Sequence, residues 1–188
     1  PANGSLTLTL GTIRDLAGNP LFGNALTYMM DITQPSTTAS PAAGSPINSI
    51  TQMDITFSEI VTGADNLANY SLSGAGVGTL SISAVVLVSG TTYRLTFSGV
   101  PADGPLNVNV ANVLDLAGNP LGASAIGFTG DISVPTVSDK WPALSQTNIG
   151  TDMSIRVLFS EPILASSLTT STFLVNNGAG NIAGTLRI

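Results

Sequence analysis

Asp15-Leu16-Ala17-Gly18-Asn19-Pro20-Leu21 returns unchanged as Asp115-Leu116-Ala117-Gly118-Asn119-Pro120-Leu121. Identity over a whole heptapeptide, from position 15 to position 115, marks an internal repeat, and a repeat decides the organisation before any element is assigned. The surroundings fall into the same register. Pro1 and Gly4 match Pro101 and Gly104, Asp31-Ile32 matches Asp131-Ile132, and Pro35 matches Pro135. A second marker, Phe57-Ser58-Glu59, recurs as Phe159-Ser160-Glu161. The chain therefore reads as a window on a tandem array with a period of about 100 residues. Residues 1–34 are the C-terminal part of one unit, 35–134 a complete unit, and 135–188 the N-terminal part of a third.

Apolar and polar residues alternate with period two, the pattern of half-buried antiparallel strands. Leu6, Leu8 and Leu10 alternate with Thr7 and Thr9, and Leu106, Val108 and Val110 with Asn107 and Asn109. Met53, Ile55 and Phe57 form one such set; Tyr93, Leu95 and Phe97 form another. The complete unit reads as seven strands: 36–40, 52–58, 70–73, one within 78–88, 92–98, 106–113 and 124–130. Short strands at this spacing, parted by Gly- and Pro-containing turns, predict an all-β immunoglobulin-like sandwich. Helical signal is confined to short turns near 63–68 and 165–170. Asp-Leu-Ala-Gly-Asn-Pro becomes the turn between the last two strands, with Gly118 or Asn119 at positive φ. The predicted core is Met53, Ile55, Phe57, Tyr93, Leu95, Phe97, Leu106, Val108, Val110, Ile126 and Phe128.

Phe-Ser-Glu, the later Asp-Leu-Ala-Gly-Asn-Pro-Leu and the Asp-Ile-x-x-Pro joint together resemble the bacterial Ig-like repeats of large cell-surface and secreted proteins. The resemblance covers the whole window. It implies a β-sandwich module of an adhesin, surface-layer or similar extracellular protein.

Composition narrows function further. The chain has no Cys and no His, which excludes disulfides, thiol nucleophiles, Cys/His zinc sites and Ser-His-Asp triads. A net charge of −6 with only five basic residues argues against nucleic acid and against an anionic membrane surface. No run approaches the ~20 apolar residues of a spanning helix. Trp141 reads as a packing residue rather than a sugar-stacking platform.

Comparison between the copies isolates the carboxylates that the repeat keeps. Glu59 and Glu161 share one position, Asp15 and Asp115 a second, Asp31 and Asp131 a third; Asp54, Asp65, Asp103 and Asp152 are not retained. If strands alternate up and down, Glu59 and Asp115 close the N-terminal pole of the complete unit. Asp31 ends the preceding unit at the same place. Such carboxylates repel unless a cation neutralises them, and Ca²⁺ suits hard oxygen ligands. The predicted metal ligands are Asp31, Glu59 and Asp115, with Asn119 offering an amide oxygen and Asp131 and Glu161 forming a half-site. The competing reading is that Asp before a tight turn caps backbone N–H groups and needs no metal.

The expected function is a non-catalytic extracellular spacer with Ca²⁺-rigidified joints. Its partners are neighbouring repeats and other copies in a filament or lattice. The alternatives are a carbohydrate- or protein-binding Ig-like module and an accessory segment of a secreted hydrolase. Each incomplete end is expected to leave an apolar face bare, including Leu6, Leu8 and Leu10, completed by further chain or by end pieces of other molecules.

Overall fold

The computed structural model describes residues 3–23, 25–123, 125–150 and 152–187. It is all-β, with three short 3₁₀ turns at Leu67–Asn69, Ala75–Val77 and Ala165–Ser167. The chain divides into two compact units, Pro1–Ile132 and Ser133–Ile188.

The first unit opens with a hairpin of β1 (Gly4–Thr9) and β2 (Ala25–Met30). A sandwich follows: β3 (Thr37–Ser40), β4 (Pro46–Ile47), β5 (Gln52–Phe57), β6 (Val61–Thr62), β7 (Tyr70–Ser73), β8 (Ser81–Ser89), β9 (Thr92–Ser98), β10 (Gly104–Val110), β11 (Leu114–Asp115) and β12 (Ala125–Gly130). One four-stranded sheet has the order β3-β5-β9-β8, the other β4-β12-β10-β7. In immunoglobulin terms these are A-B-E-D and C-F-G, the constant-type arrangement, with β4 added beside the last strand. The seven strands read from the sequence are β3, β5, β7, β8, β9, β10 and β12. β8 is continuous, with register irregularities between Ile82 and Ala84 and between Leu87 and Ser89.

Three short strands escaped the sequence. β4 pairs parallel to β12, and β6 pairs with β11. Each is two residues long, too short to display a period.

All eleven predicted core residues are buried, and Ile55 and Leu95 are 0% exposed. Their alternation places them on the inner faces of both sheets, where burial of apolar area supplies the main stabilisation. Phe57 and Tyr93 meet edge to face, with ring centroids 5.8 Å apart. On the outer face, Arg94 and Asp54 face each other across β9 and β5 and make a bidentate ion pair at 2.6 and 2.7 Å.

The second unit contains β13 (Val137–Trp141), β14 (Arg156–Phe159), β15 (Val175–Asn176) and β16 (Asn181–Ile182). β13 pairs antiparallel to β14, as β3 does to β5. Among its described residues none is fully buried. Trp141, expected to pack, is half exposed, on a strand whose sheet has two strands only among the described residues.

Candidate functional site

The two Asp-Leu-Ala-Gly-Asn-Pro-Leu turns share one hydrogen-bond pattern. Asp115 Oδ1 accepts from the backbone N–H groups of Ala117 and Asn119, both at 2.8 Å. Asp115 Oδ2 accepts from Asn119 Nδ2 at 2.7 Å. The first copy has Ala17 and Asn19 N–H on Asp15 Oδ1 at 2.9 and 2.8 Å, and Asn19 Nδ2 on Asp15 Oδ2 at 2.8 Å. Gly18 and Gly118 take φ of 89° and 91°, a conformation that side chains with a Cβ avoid. The Asp and Asn are thus fixed by the turn itself.

Phe-Ser-Glu has a division of labour as well. Phe57 fills the core. Ser58 clamps the entering strand: its Oγ accepts from Ser36 N–H at 3.0 Å, and its N–H donates to Ser36 O at 2.9 Å. Ser160 and Thr136 repeat this clamp at 2.9 and 2.8 Å. Glu59 follows at the end of β5 and turns toward the Asp115 turn.

Asp31 arrives from β2, one residue past its end. Its backbone carbonyl accepts from Asn119 Nδ2 at 3.1 Å, and its Oδ1 accepts from Thr33 N–H at 2.9 Å. Gly122 N–H donates to Pro35 O at 3.0 Å, a second tie across the seam where the hairpin segment meets the sandwich. In this seam Asp31, Glu59 and Asp115 each offer a carboxylate oxygen within 4.8 Å of the other two. Asp31 is exposed, Glu59 half-buried and Asp115 buried.

The electrostatics follow from this packing. Burial, then the charges of Asp115 and Asp31, push the Glu59 carboxyl above its ordinary value. Burial also pushes Asp115 upward, but hydrogen bonds from the Asn119 side chain and from the N–H groups of Asn119, Ala117 and Gly118 outweigh it and hold the carboxyl low. Asp15 is likewise held low, first by the Asn19 side chain. Among the described residues the ion pair is Arg94–Asp54, so none of the three seam carboxylates has a basic side chain within 4.0 Å.

The spacing suits one hard cation. Two oxygens at ~2.3–2.6 Å from a common Ca²⁺ lie at most about 5 Å apart. Asn119 Nδ2 donates to Asp115 Oδ2 and to Asp31 O, so the amide nitrogen positions the carboxylate. Asp131 belongs to the first unit and Glu161 to the second.

A cavity of about 250 Å³ beside β7 and β8 is lined by Leu67, Tyr70, Leu72, Val77, Leu80 and Ile82 together with the polar Ser71 and Ser81. The Tyr70 hydroxyl donates to Ala64 O at 2.7 Å, and burial pushes its pKa up, so it remains neutral. No helix among the described residues is long and apolar enough to cross a membrane.

No family model matches the chain. It is 28% identical over 177 residues to the outer cell wall protein of Brevibacillus brevis, a match covering 88% of this chain. The chain spans 17% of the length of that relative. Among solved structures, the N-terminal part of the bacterial S-layer protein SbsC aligns over 56% of this chain and 25% of its own, at 26% identity and a TM-score of 0.40. Domains 1–6 of SbsC align over 56% of this chain and 15% of their own, at 24% identity and a TM-score of 0.40.

Proposed function

We propose that the chain is a structural repeat segment of a surface-layer-type bacterial protein, serving as a non-catalytic spacer whose joints are stiffened by Ca²⁺. The chain is located at the cell surface, in keeping with its outer cell wall relative. A non-catalytic role is in keeping with the outer cell wall protein to which the chain is similar. The observation that carries the joint is the meeting of Asp31, Glu59 and Asp115 at one seam, brought there by β2, β5 and β11. Glu59 is the adjustable member. Burial first, and then the charges of Asp115 and Asp31, push its carboxyl upward, and a cation there would relieve the repulsion between the three. Asp115, already hydrogen-bonded, supplies a fixed ligand oxygen.

Titration calorimetry with Ca²⁺ tests this reading. Binding is expected at the ~0.1–1 mM concentrations typical of extracellular modules. It should vanish in Glu59→Gln, whose neutral amide keeps the size but not the charge. Calcium should also raise the melting temperature, since a ligand of the native state stabilises it by mass action. No heat at millimolar Ca²⁺ would reject the joint reading.

A further inference from the structure

Among the described residues the sandwich has four open edges: β3, β8, β4 and β7. Three are short. β3 and β7 have four residues each and β4 has two. β3 also lies between Pro35 and Pro41, and β4 begins at Pro46. Shortness and proline are devices that keep an edge from pairing with other chains. β8 has neither. It runs nine residues, Ser81-Ile82-Ser83-Ala84-Val85-Val86-Leu87-Val88-Ser89, without proline and without charge.

Its side chains are also undercovered. Leu87 stands in register with Tyr93 and Ile55, on the core-facing row, yet is 57% exposed. Val86, on the outer row beside Arg94, is 52% exposed. Both flank a row of backbone groups with no strand beyond them among the described residues.

We infer that β8 is a self-pairing edge, adding antiparallel to β8 of a second copy about a two-fold axis at Val86. Charge does not oppose a like chain at this edge. The protein carries −6, so copies repel over most of their surface, and an uncharged edge is where they can approach. The strand is also self-complementary. Pairing about Val86 sets Val85 against Leu87, apolar against apolar, within the straight part of the strand. Such a contact is isologous and joins two four-stranded sheets into one. The irregularities near Ser83 and Val88 confine the straight run to Ala84–Leu87, so one contact is weak and gains strength where many copies are held side by side.

The absence of native Cys makes single-thiol cross-linking clean. Val86→Cys and, on the short opposite edge, Thr38→Cys are compared in the 188-residue chain with a short bismaleimide in EDTA, which removes any contribution from a cation joint. Val86→Cys is expected to give several-fold more covalent dimer than Thr38→Cys. Adding Leu87→Lys, an edge charge that blocks pairing, should return Val86→Cys to the Thr38→Cys level. Equal cross-linking at both edges would overturn the inference, and so would a dimer yield indifferent to Leu87→Lys.

Discussion

The hairpin β1–β2 and its later copy β10–β12 pair in the same register and differ in what lies across from them. Leu6 faces Tyr28 and Leu8 faces Leu26; a hundred residues on, Leu106 faces Phe128 and Val108 faces Ile126. The later pairs are sealed by the β3-β5-β9-β8 sheet, and Leu106 is 2% exposed. Leu6 is 53% exposed. Turn, register and pleat therefore come from local sequence, while burial comes from the opposing sheet. The turns say the same. Asp15 and Asp115 make matching hydrogen bonds, but only Asp115 is buried and only Asp115 sits beside a Glu from another strand. Capping is thus a property of the heptapeptide, and the carboxylate cluster a property of the joint.

The comparison is broken most directly by truncating the two faces. Leu106→Ala is expected to cost about 2–5 kcal/mol, the range for deleting a buried leucine side chain. Leu6→Ala should stay within about 0.5 kcal/mol, as at other exposed sites. Urea unfolding of both variants provides the measurement. Equal costs would mean that the β1–β2 face is covered in solution.

A smaller effect is expected at the turn glycines. Gly118→Ala places a Cβ on a residue with φ of 91°, where space is open but the conformation is strained. The cost should be about 1–2 kcal/mol, that of forcing an L-residue into a left-handed conformation. Gly18→Ala imposes the same local strain on a hairpin that seals no core, so the unfolding midpoint of the sandwich should hardly move. The Gly18 turn itself should open instead, seen as lost amide protection at Asn19. An equal shift in midpoint for both variants would show that the hairpin and sandwich unfold as one.

The difference between the copies also explains how far the sequence could be read. The core was legible because one apolar residue in two is a strong signal even over five positions, as in Met53-Asp54-Ile55-Thr56-Phe57. The turn was legible because Gly at positive φ and Asp as an N–H acceptor are local requirements. The meeting of three carboxylates could be argued from recurrence and strand direction. Other features depend on pairing. β4 lies parallel to β12 because the chain crosses between sheets after β3, which no two-residue pattern announces. The amide of Asn119 points its nitrogen at Asp115 because the acceptors around it demand a donor. Asp103 looked unretained against Asn3, yet both side chains accept an N–H twenty-nine residues on, from Ile132 and Ile32 at 2.6 and 2.8 Å. Comparing carboxylates alone hid this acceptor role, which Asn and Asp fill equally.

The smallest expected effect separates the two turns by charge. Glu59 has its folded pKa above the ordinary value of 4.5, so the folded state holds its proton more tightly than the unfolded state does. Stability must then fall as pH rises from about the unfolded value through the folded one, because the folded chain binds more protons across that window. Asp115 has the opposite sign. Its folded pKa lies below 3.8, so its contribution is present above that value and is lost only as pH falls through the folded pKa. In the window from pH ~4.5 up through the folded Glu59 pKa the Asp115 contribution is constant, and the slope of melting temperature against pH follows Glu59. Wild type should lose melting temperature across this window in EDTA. Glu59→Gln, without the ionisable group, should show a shallower decline and a higher melting temperature at its upper end. Added Ca²⁺ should remove the wild-type decline and leave the variant unchanged, because the cation offsets the charge that Glu59 acquires. Asp15 belongs to no such carboxylate group among the described residues, so Asp15→Asn should leave the slope as it is. A slope that survives Glu59→Gln unaltered would assign the pH response to another group and remove Glu59 from the joint.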